Sequence, residues 1–87
     1  MTKFQEKVYN IVKTIKSGQT MTYAQVADLI GQPKSVRAVG NALNRNYNHE
    51  IPCHRVVKSD GSAGGYNRGI KNKIKILKEE GITKYDL

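Results

Sequence analysis

One cysteine in this chain has neighbours suited to nucleophilic chemistry. Cys53 follows Pro52 and is followed directly by His54 and Arg55. It is the only cysteine among 87 residues, so it cannot form an internal disulfide or a multi-cysteine zinc site, and we expect neither a metal nor a cofactor. Such a cysteine is either an inert buried thiol, the commoner state of free cysteines, or a nucleophile. Basic neighbours stabilise a thiolate, so this sequence favours the nucleophile.

The charge of the chain indicates a polyanionic partner. Fifteen Lys and Arg residues outnumber seven Asp and Glu residues, which gives a formal net charge of +8. On so small a chain this excess favours nucleic acid, with ordinary solvated lysines as the alternative. No apolar run or signal peptide points to a membrane. A single unpaired thiol suits a reducing compartment, so we expect a cytoplasmic protein, and we expect it to be a monomer. Most lysines of the predicted helices are expected on solvated faces: Lys3, Lys7, Lys13, Lys16, Lys71, Lys73, Lys75 and Lys78.

Hydrophobic periodicity predicts the elements that position Cys53, beginning with helices in the first half of the chain. Apolar residues spaced along one helix face indicate a first helix over about 2–16. Thr22 and Gln25 match a capping box, which predicts the start of a second helix that Gly31 ends. Pro33 is expected to begin a third helix, because proline suits the first helical turn. The two short helices on either side of this turn predict a helix-turn-helix.

The second half of the chain predicts a small sheet and a last helix. Val56-Val57-Lys58 is a candidate strand, and the turn residues 59–61 and 64–65 that follow predict a β-hairpin or wing. A final helix is expected over about 71–80. The predicted fold is therefore mainly α, a winged-helix-like domain of three or four helices that spans residues 1–87 as one unit.

The outer face of the third helix is expected to meet DNA. It combines small residues with cations: Lys34, Ser35, Arg37, Ala38, Gly40 and Asn41. Glycine inside a helix costs about 1 kcal/mol relative to alanine. Gly40 therefore indicates either a ligand that approaches the backbone closely or tight packing between helices.

A series of motifs in a fixed order carries a family resemblance over nearly the whole chain. The landmarks are Phe4-Gln5, Thr22-Tyr23, the Ile-Gly-Gln-Pro of 30–33, the Arg-Ala-Val-Gly of 37–40, Asn46, the Ile-Pro-Cys-His-Arg-Val-Val of 51–57, the Gly-Gly-Tyr of 64–66, Lys73, Leu77 and Glu80-Gly81. With these landmarks the chain resembles the DNA-binding, active-site domain of the O6-alkylguanine-DNA alkyltransferases, the methylated-DNA–protein-cysteine methyltransferases.

The resemblance implies the chemical roles. Cys53 would accept an alkyl group from O6 of guanine in double-stranded DNA. His54 would be its base through a water, oriented by Glu80, and Tyr23 would donate a hydrogen bond to the guanine. A thioether has no easy leaving route, so each molecule is expected to react once.

The resemblance also implies how the target base is reached. The third helix would lie in the minor groove, and Arg37 would enter the base stack to hold the gap left by the flipped nucleotide. Asn46 would brace the turn before the cysteine. Gly65 and Tyr66 would line the alkyl pocket.

The chain departs from the family pattern in three places. Full-length members carry an N-terminal domain that has no counterpart here. The loop from Asn46 to Cys53 is one residue shorter than usual, with Tyr47 in place of a proline. Arg68 stands where the family often has a small residue, which implies a narrower alkyl pocket.

Two other functions remain open from the residues. The first is a non-catalytic module like the alkyltransferase-like proteins, which would recognise and flip the lesion and recruit other factors. Those relatives replace the cysteine, whereas this chain keeps Cys53. The second is a plain helix-turn-helix DNA-binding protein with an inert thiol.

Overall fold

The computed structural model describes residues 1–86 as four α-helices and a two-stranded sheet. The helices are α1 (Lys3–Val12), α2 (Tyr23–Leu29), α3 (Val36–Asn44) and α4 (Ile70–Glu79), and the strands are β1 (Met21–Thr22) and β2 (Val56–Val57). A single turn of 3-10 helix, Cys53–Arg55, leads into β2. The predicted mainly helical class is confirmed. None of the described helices has the length and apolarity needed to cross a membrane.

Reciprocal capping boxes begin α1 and α2. The Thr22 hydroxyl accepts the Gln25 N–H at 3.0 Å, and the Gln25 side chain accepts the Thr22 N–H at 2.7 Å, as the sequence predicted. Thr2 and Gln5 make the same pair of hydrogen bonds at the start of α1. The predicted end of the first helix near residue 16 is wrong. After Val12 the chain tightens into turns with i to i−3 hydrogen bonds.

The helix-turn-helix is confirmed, but its second helix begins later than predicted. Pro33 and Lys34 lie in a turn, and α3 begins at Val36. Ser35 occupies the N-cap position without capping the helix, because its hydroxyl is 3.3 Å from the Gln32 side-chain oxygen instead. Lys34 and Ser35 therefore precede the helix whose face they were expected to share.

The predicted hairpin is wrong, because the two strands are parallel. Met21 pairs with Val56 and Thr22 with Val57. The segment after β2 turns back through a hydrogen bond from the Lys58 N–H to the Ser62 carbonyl at 3.1 Å, and no second strand follows there. Since β1 leads directly into α2 and the Cys53–Arg55 turn leads directly into β2, the sheet joins the two segments that carry Tyr23 and Cys53.

Two groups of buried side chains hold the elements together. The larger group lies among α1, α2 and α3, which contact one another, and includes Cys53. The smaller group joins β2 to α4 and to the C-terminal segment, in which Tyr85 is buried. Lys73 is fully buried on the inner face of α4, so its predicted place on a solvated face is wrong. Leu77 follows it by one turn on the same buried face.

Candidate active site and DNA-facing groove

Cys53 is buried and receives a hydrogen bond at its sulfur. The Asn46 side chain donates to Sγ at 2.7 Å. The same amide nitrogen is 3.1 Å from the Asn48 carbonyl and 3.4 Å from the Ile51 carbonyl, so it also fixes the loop before the cysteine. Asn46 thus closes the turn and presents a donor that favours a thiolate over a thiol.

Opposing effects act on the ionisation of this thiol. Burial raises the pKa of Cys53 above its ordinary value, whereas the hydrogen bond from Asn46 and the charges of Arg68 and Lys73 oppose the rise. Burial prevails, so the resting group is a neutral thiol at neutral pH. A base is therefore needed before this sulfur can attack carbon.

His54 belongs to an ion network at the end of α4. Its Nε2 lies 3.0 Å from Oε2 of Glu80. Arg55 binds the same carboxylate with two donors, at 3.1 and 2.7 Å, and donates a third hydrogen bond to the Ile15 carbonyl at 2.8 Å. The Arg55 hydrogen bonds, together with His54, lower the pKa of Glu80, against the opposing effect of burial.

This network sets the tautomer of the histidine. A carboxylate only accepts hydrogen bonds, so His54 donates from Nε2 and keeps Nδ1 as a proton acceptor. Within residues 1–86 no hydrogen bond joins His54 to the Cys53 sulfur. Proton transfer between them would therefore need a bridging water, as the sequence implied.

Lys73 holds a buried ammonium beside the phenol of Tyr23. Its Nζ donates to the Val56 carbonyl at 2.6 Å, to the Gly65 carbonyl at 3.1 Å and to the Tyr23 hydroxyl at 3.4 Å. Burial lowers the pKa of Lys73 to about 8, although the negative charge of Cys53, in its thiolate form, opposes this change. The group is thus an acid that can lose its proton near physiological pH.

The place of Lys73 in the site was not predicted from the sequence. Lys73 is a family landmark to which the resemblance gave no role, and it was expected among the solvated lysines. A usable signal was its spacing, because it precedes the apolar residues Ile74 and Leu77 by one and four positions on a short helix.

Tyr23 is half-buried at the start of α2 and contacts the loop after β2. Its hydroxyl donates to the Gly65 carbonyl at 3.4 Å. Burial raises the pKa of the Tyr23 phenol, and the Cys53 charge raises it further, so the group remains a proton donor. Gly64 has φ +79°, and a Cβ added to it would lie 3.0 Å from the Tyr23 ring. Only glycine fits there, for both conformational and steric reasons.

A groove between α3 and the loop after β2 opens beside Tyr23. Its volume is about 320 Å³, and its lining includes Tyr23, Arg37, Gly40, Asn41, Asn44 and Gly65. Arg37, Ala38 and Asn41 are exposed on α3, and Ala38 lies on a neighbouring concavity with Asn41. An added Cβ at Gly40 would be 3.9 Å from Tyr23, which is ordinary contact, so helix packing does not require this glycine. Its place in the groove favours the close approach of a ligand.

A second cavity of about 400 Å³ lies at the other end of the loop after β2. We call it the basic pocket, and its charged and titratable lining is His49, His54, Arg68, Lys75 and Glu79. Tyr66 also lines it and is half-buried.

The loop residue before Arg68 ties this region to the active-site turn. The Asn67 side chain donates to the Asn44 carbonyl at 2.9 Å and to the Asn46 carbonyl at 2.6 Å. The wall that carries Gly65 and Tyr66 is thereby fixed to the residue that hydrogen-bonds to the Cys53 sulfur.

Comparison with known proteins gives a consistent set of relatives. Residues 3–82 match the family described as 6-O-methylguanine DNA methyltransferase, DNA binding domain. The methylated-DNA–protein-cysteine methyltransferase of Kluyveromyces lactis is 48% identical over 80 residues, which are 91% of this chain and 42% of that protein. The chain thus spans less than half the length of that relative.

Solved structures match the fold closely. The crystal structure of Mycobacterium tuberculosis OGT in complex with DNA has a TM-score of 0.89 at 38% identity, over 99% of this chain and 57% of that one. The crystal structure of S. pombe Atl1 in complex with damaged DNA containing O6-carboxymethylguanine has a TM-score of 0.81 at 34% identity, over 93% of this chain and 78% of that one.

Proposed function

The chain belongs to the 6-O-methylguanine DNA methyltransferase family through its DNA-binding domain, and we propose that it transfers an alkyl group from O6 of guanine in DNA to Cys53. The observation that carries this proposal is the setting of the sulfur. Cys53 has a donor 2.7 Å from Sγ, and its neighbour His54 is oriented by a carboxylate at 3.0 Å. This arrangement supports the roles of nucleophile, base and orienting carboxylate, which activation of a buried thiol requires.

The chemical step is a displacement at carbon. His54 takes the Cys53 proton through a bridging water, and the Glu80 carboxylate stabilises the imidazolium that forms. The thiolate attacks the alkyl carbon, a new S–C bond forms, and the bond from that carbon to guanine O6 breaks. The electron pair of the broken bond stays on the guanine. Because the product is a thioether, each molecule reacts once.

The departing guanine needs a proton, and the buried pair beside the groove can supply it. Tyr23 is held as a proton donor, and its oxygen accepts a hydrogen bond from Lys73 at 3.4 Å. A proton passing from Tyr23 to the guanine is replaced from the Lys73 ammonium, so no phenolate remains buried. The outcome is a neutral guanine and a neutral lysine, which then takes a proton from solvent.

The groove supports extrusion of the base from the duplex. The target atom lies inside the stack, and taking the base out costs a few kcal/mol. Exposed Arg37 stands on α3 at the edge of the groove that Tyr23 lines, where it can fill the gap and approach phosphates. The net charge of +8 supports salt-dependent binding to the DNA backbone. Such a protein is expected in the cytoplasm, associated with the nucleoid if the cell is prokaryotic.

Intact-protein mass spectrometry tests the proposal directly. The protein is incubated with a duplex that carries one O6-methylguanine. The thiol proton is exchanged for a methyl group, so we expect a gain of about 14 Da that stops at one methyl per molecule and is absent in Cys53→Ser. The unmodified duplex is the matched control. A lesion-dependent complex without a mass change would contradict transfer.

A non-catalytic lesion-recognition module is the second candidate. It is favoured by the match to S. pombe Atl1, of which this chain covers 78%, a larger share than of the M. tuberculosis structure. The retained Cys53 argues against it. In the same experiment this candidate predicts tight binding to the lesion with no gain in mass.

A further inference from the structure

The wall of the basic pocket contains Arg68, a cation with no carboxylate partner in the described part of the chain. Among residues 1–86, the ion pairs involve only His54, Arg55 and Glu80, and none includes Arg68. Arg68 is half-buried and donates to the Tyr66 hydroxyl at 3.1 Å and to the Tyr47 carbonyl at 3.1 Å. Its guanidinium carbon lies 5.9 Å from the centre of each of these two tyrosine rings.

These contacts hold the guanidinium between the two loops that flank Cys53. Tyr47 belongs to the loop that Asn46 fixes against the sulfur, and Tyr66 belongs to the loop that also carries Gly65. Two aromatic faces and two hydrogen bonds restrict the Arg68 side chain, so its charge has a defined position. The guanidinium has five N–H donors, and these two hydrogen bonds leave others for a ligand.

The charge of Arg68 also reaches the reacting sulfur. Burial is the main influence on the pKa of Cys53 and raises it, but the Arg68 charge is among the effects that lower it. Ile51 and His54, on either side of Cys53, line the same pocket as Arg68. An alkyl group bound at Cys53 and extended by a few atoms would therefore meet a positive field.

Resting on the proposed alkyl transfer, we propose that Arg68 selects for O6-alkyl groups that carry a carboxylate. The pocket is positive on balance, since Glu79 is the one acidic side chain in its lining beside Arg68, Lys75 and two histidines. A carboxylate can accept a paired hydrogen bond from a guanidinium, and such charge-assisted bonds are about twice as strong as neutral ones. A neutral group of equal size gains no such bond.

The reaction with an anionic adduct balances in the same way as methyl transfer. For O6-carboxymethylguanine, a bond forms between Sγ of Cys53 and the methylene carbon, and the bond from that carbon to O6 breaks. The electron pair and a proton go to the guanine. The carboxylate remains on the new thioether, beside Arg68.

The test compares two adducts that differ in charge but not in size. Identical duplexes carry O6-carboxymethylguanine or its neutral amide, O6-carbamoylmethylguanine, and transfer rates are measured by intact mass. Each rate is divided by the rate with a small thiol in water, which removes intrinsic reactivity. The phosphate backbone charge is the same in both duplexes. We expect the corrected ratio to favour the carboxylate about tenfold in the native protein.

Variants locate the cause of this preference. Arg68→Met keeps most of the side-chain bulk and loses the charge, so the ratio should fall to about one, whereas Arg68→Lys should retain part of it. Lys71→Met removes an exposed cation of α4 and should leave the ratio unchanged. Equal corrected rates in the native protein, or a preference that survives in Arg68→Met, would overturn the proposal.

A binding measurement separates this proposal from the proposed function. In Cys53→Ser, affinity for the two duplexes is measured by titration without any transfer. If no adduct is transferred by the native protein, the alkyl transfer proposal fails. A preference for the carboxylate in Cys53→Ser that disappears in Cys53→Ser/Arg68→Met would still support the role of Arg68, and equal affinities would contradict it.

Discussion

Arg55, in the turn that begins at Cys53, and Lys73, on α4, are two cations that are held in different ways. Arg55 faces a carboxylate, with two donors on Glu80 at 3.1 and 2.7 Å. Lys73 is fully buried, and its hydrogen-bond partners among residues 1–86 are neutral: two carbonyls and the Tyr23 hydroxyl. One cation is neutralised by a counter-ion, and the other is stabilised by dipoles alone.

Because of this difference, Arg55 carries a fixed charge, whereas Lys73 carries a proton that it can lose. A guanidinium does not lose its proton in a protein, so the Arg55–Glu80 pair orients His54 at any physiological pH. Burial of the Lys73 ammonium without a counter-ion lowers its pKa to about 8. The arrangement therefore places a permanent ion pair beside His54, the proposed base, and a titratable ammonium beside Tyr23.

The largest expected effect comes from removing the mobile proton. Lys73→Met keeps an unbranched apolar chain on α4 but leaves Tyr23 without a source of protons. We expect the rate of methyl transfer to fall about 100-fold or more, the range of general acid catalysis. Rates are measured by intact mass under single-turnover conditions, after circular dichroism has shown a native fold.

Lys71→Met is the matched control, since Lys71 is exposed on the same helix. It should react at the native rate. If Lys73→Met also reacted within threefold of the native rate, the buried lysine would be structural. Its role as the source of a proton for Tyr23 would then be contradicted.

Breaking the fixed pair should affect stability most. Glu80→Gln leaves the partly buried Arg55 without its counter-ion, and we expect the free energy of unfolding to fall by about 2 kcal/mol, less than for a fully buried pair. Urea denaturation measures the change. Glu79→Gln, an exposed neighbour, is the control and should stay within about 0.5 kcal/mol of the native protein. If Glu80→Gln lowered the free energy of unfolding no more than Glu79→Gln does, the Arg55–Glu80 pair would contribute little to stability.

Alkaline pH should reveal the cost of the Lys73 charge. From pH 8 to 10.5 the unfolded chain still binds the Lys73 proton while the folded chain releases it, so stability due to this group rises with pH. Relative to Lys73→Met, the native protein should gain about 1 kcal/mol per pH unit over this window. Because the charges of Cys53 and Lys73 influence each other, Cys53→Ser is introduced into both proteins to remove the thiol titration. A flat difference would contradict the unpaired burial.

The Glu80 pair should respond at the opposite end of the pH scale. The pKa of Glu80 is lowered in the folded protein, mainly by its hydrogen bonds from Arg55. Its contribution to stability is therefore present above the ordinary carboxyl pKa and is lost as the pH falls through the folded value. Acid titration of the native protein against Glu80→Gln should show this loss.

The smallest expected effect belongs to a cation outside both networks. Arg37 is exposed on α3, so Arg37→Ala should leave stability unchanged. Its proposed role is extrusion of the base, which costs a few kcal/mol of unstacking energy. Because Arg37 would offset only part of that cost, transfer from duplex DNA should slow about tenfold. Transfer from the free modified base should be unaffected. Equal losses on both substrates would argue against a role in extrusion.

Local signals in the sequence predicted most of the helical frame. The Thr22 and Gln25 capping box gives the start of α2 because its hydrogen bonds span only three residues. The position of α3 was predicted less well, since Pro33 suits a turn as readily as a first helical turn. The turn residues after Val57 suggested a hairpin, but β2 pairs with β1 about 35 residues earlier, and turn chemistry carries no information on such a partner.

The sequence by itself determined the candidate nucleophile, the basic charge and the family, because the residues around Cys53 are contiguous and their types are specific. It also indicated that any link from His54 to Glu80 must be tertiary. Only the tertiary structure decided that Arg55 shares that carboxylate and that Lys73 is buried against Tyr23 and Gly65. These contacts join residues 8 to 50 positions apart. The burial that lowers the pKa of Lys73 depends on which faces of α4 and β2 meet, and the folded packing alone fixes that.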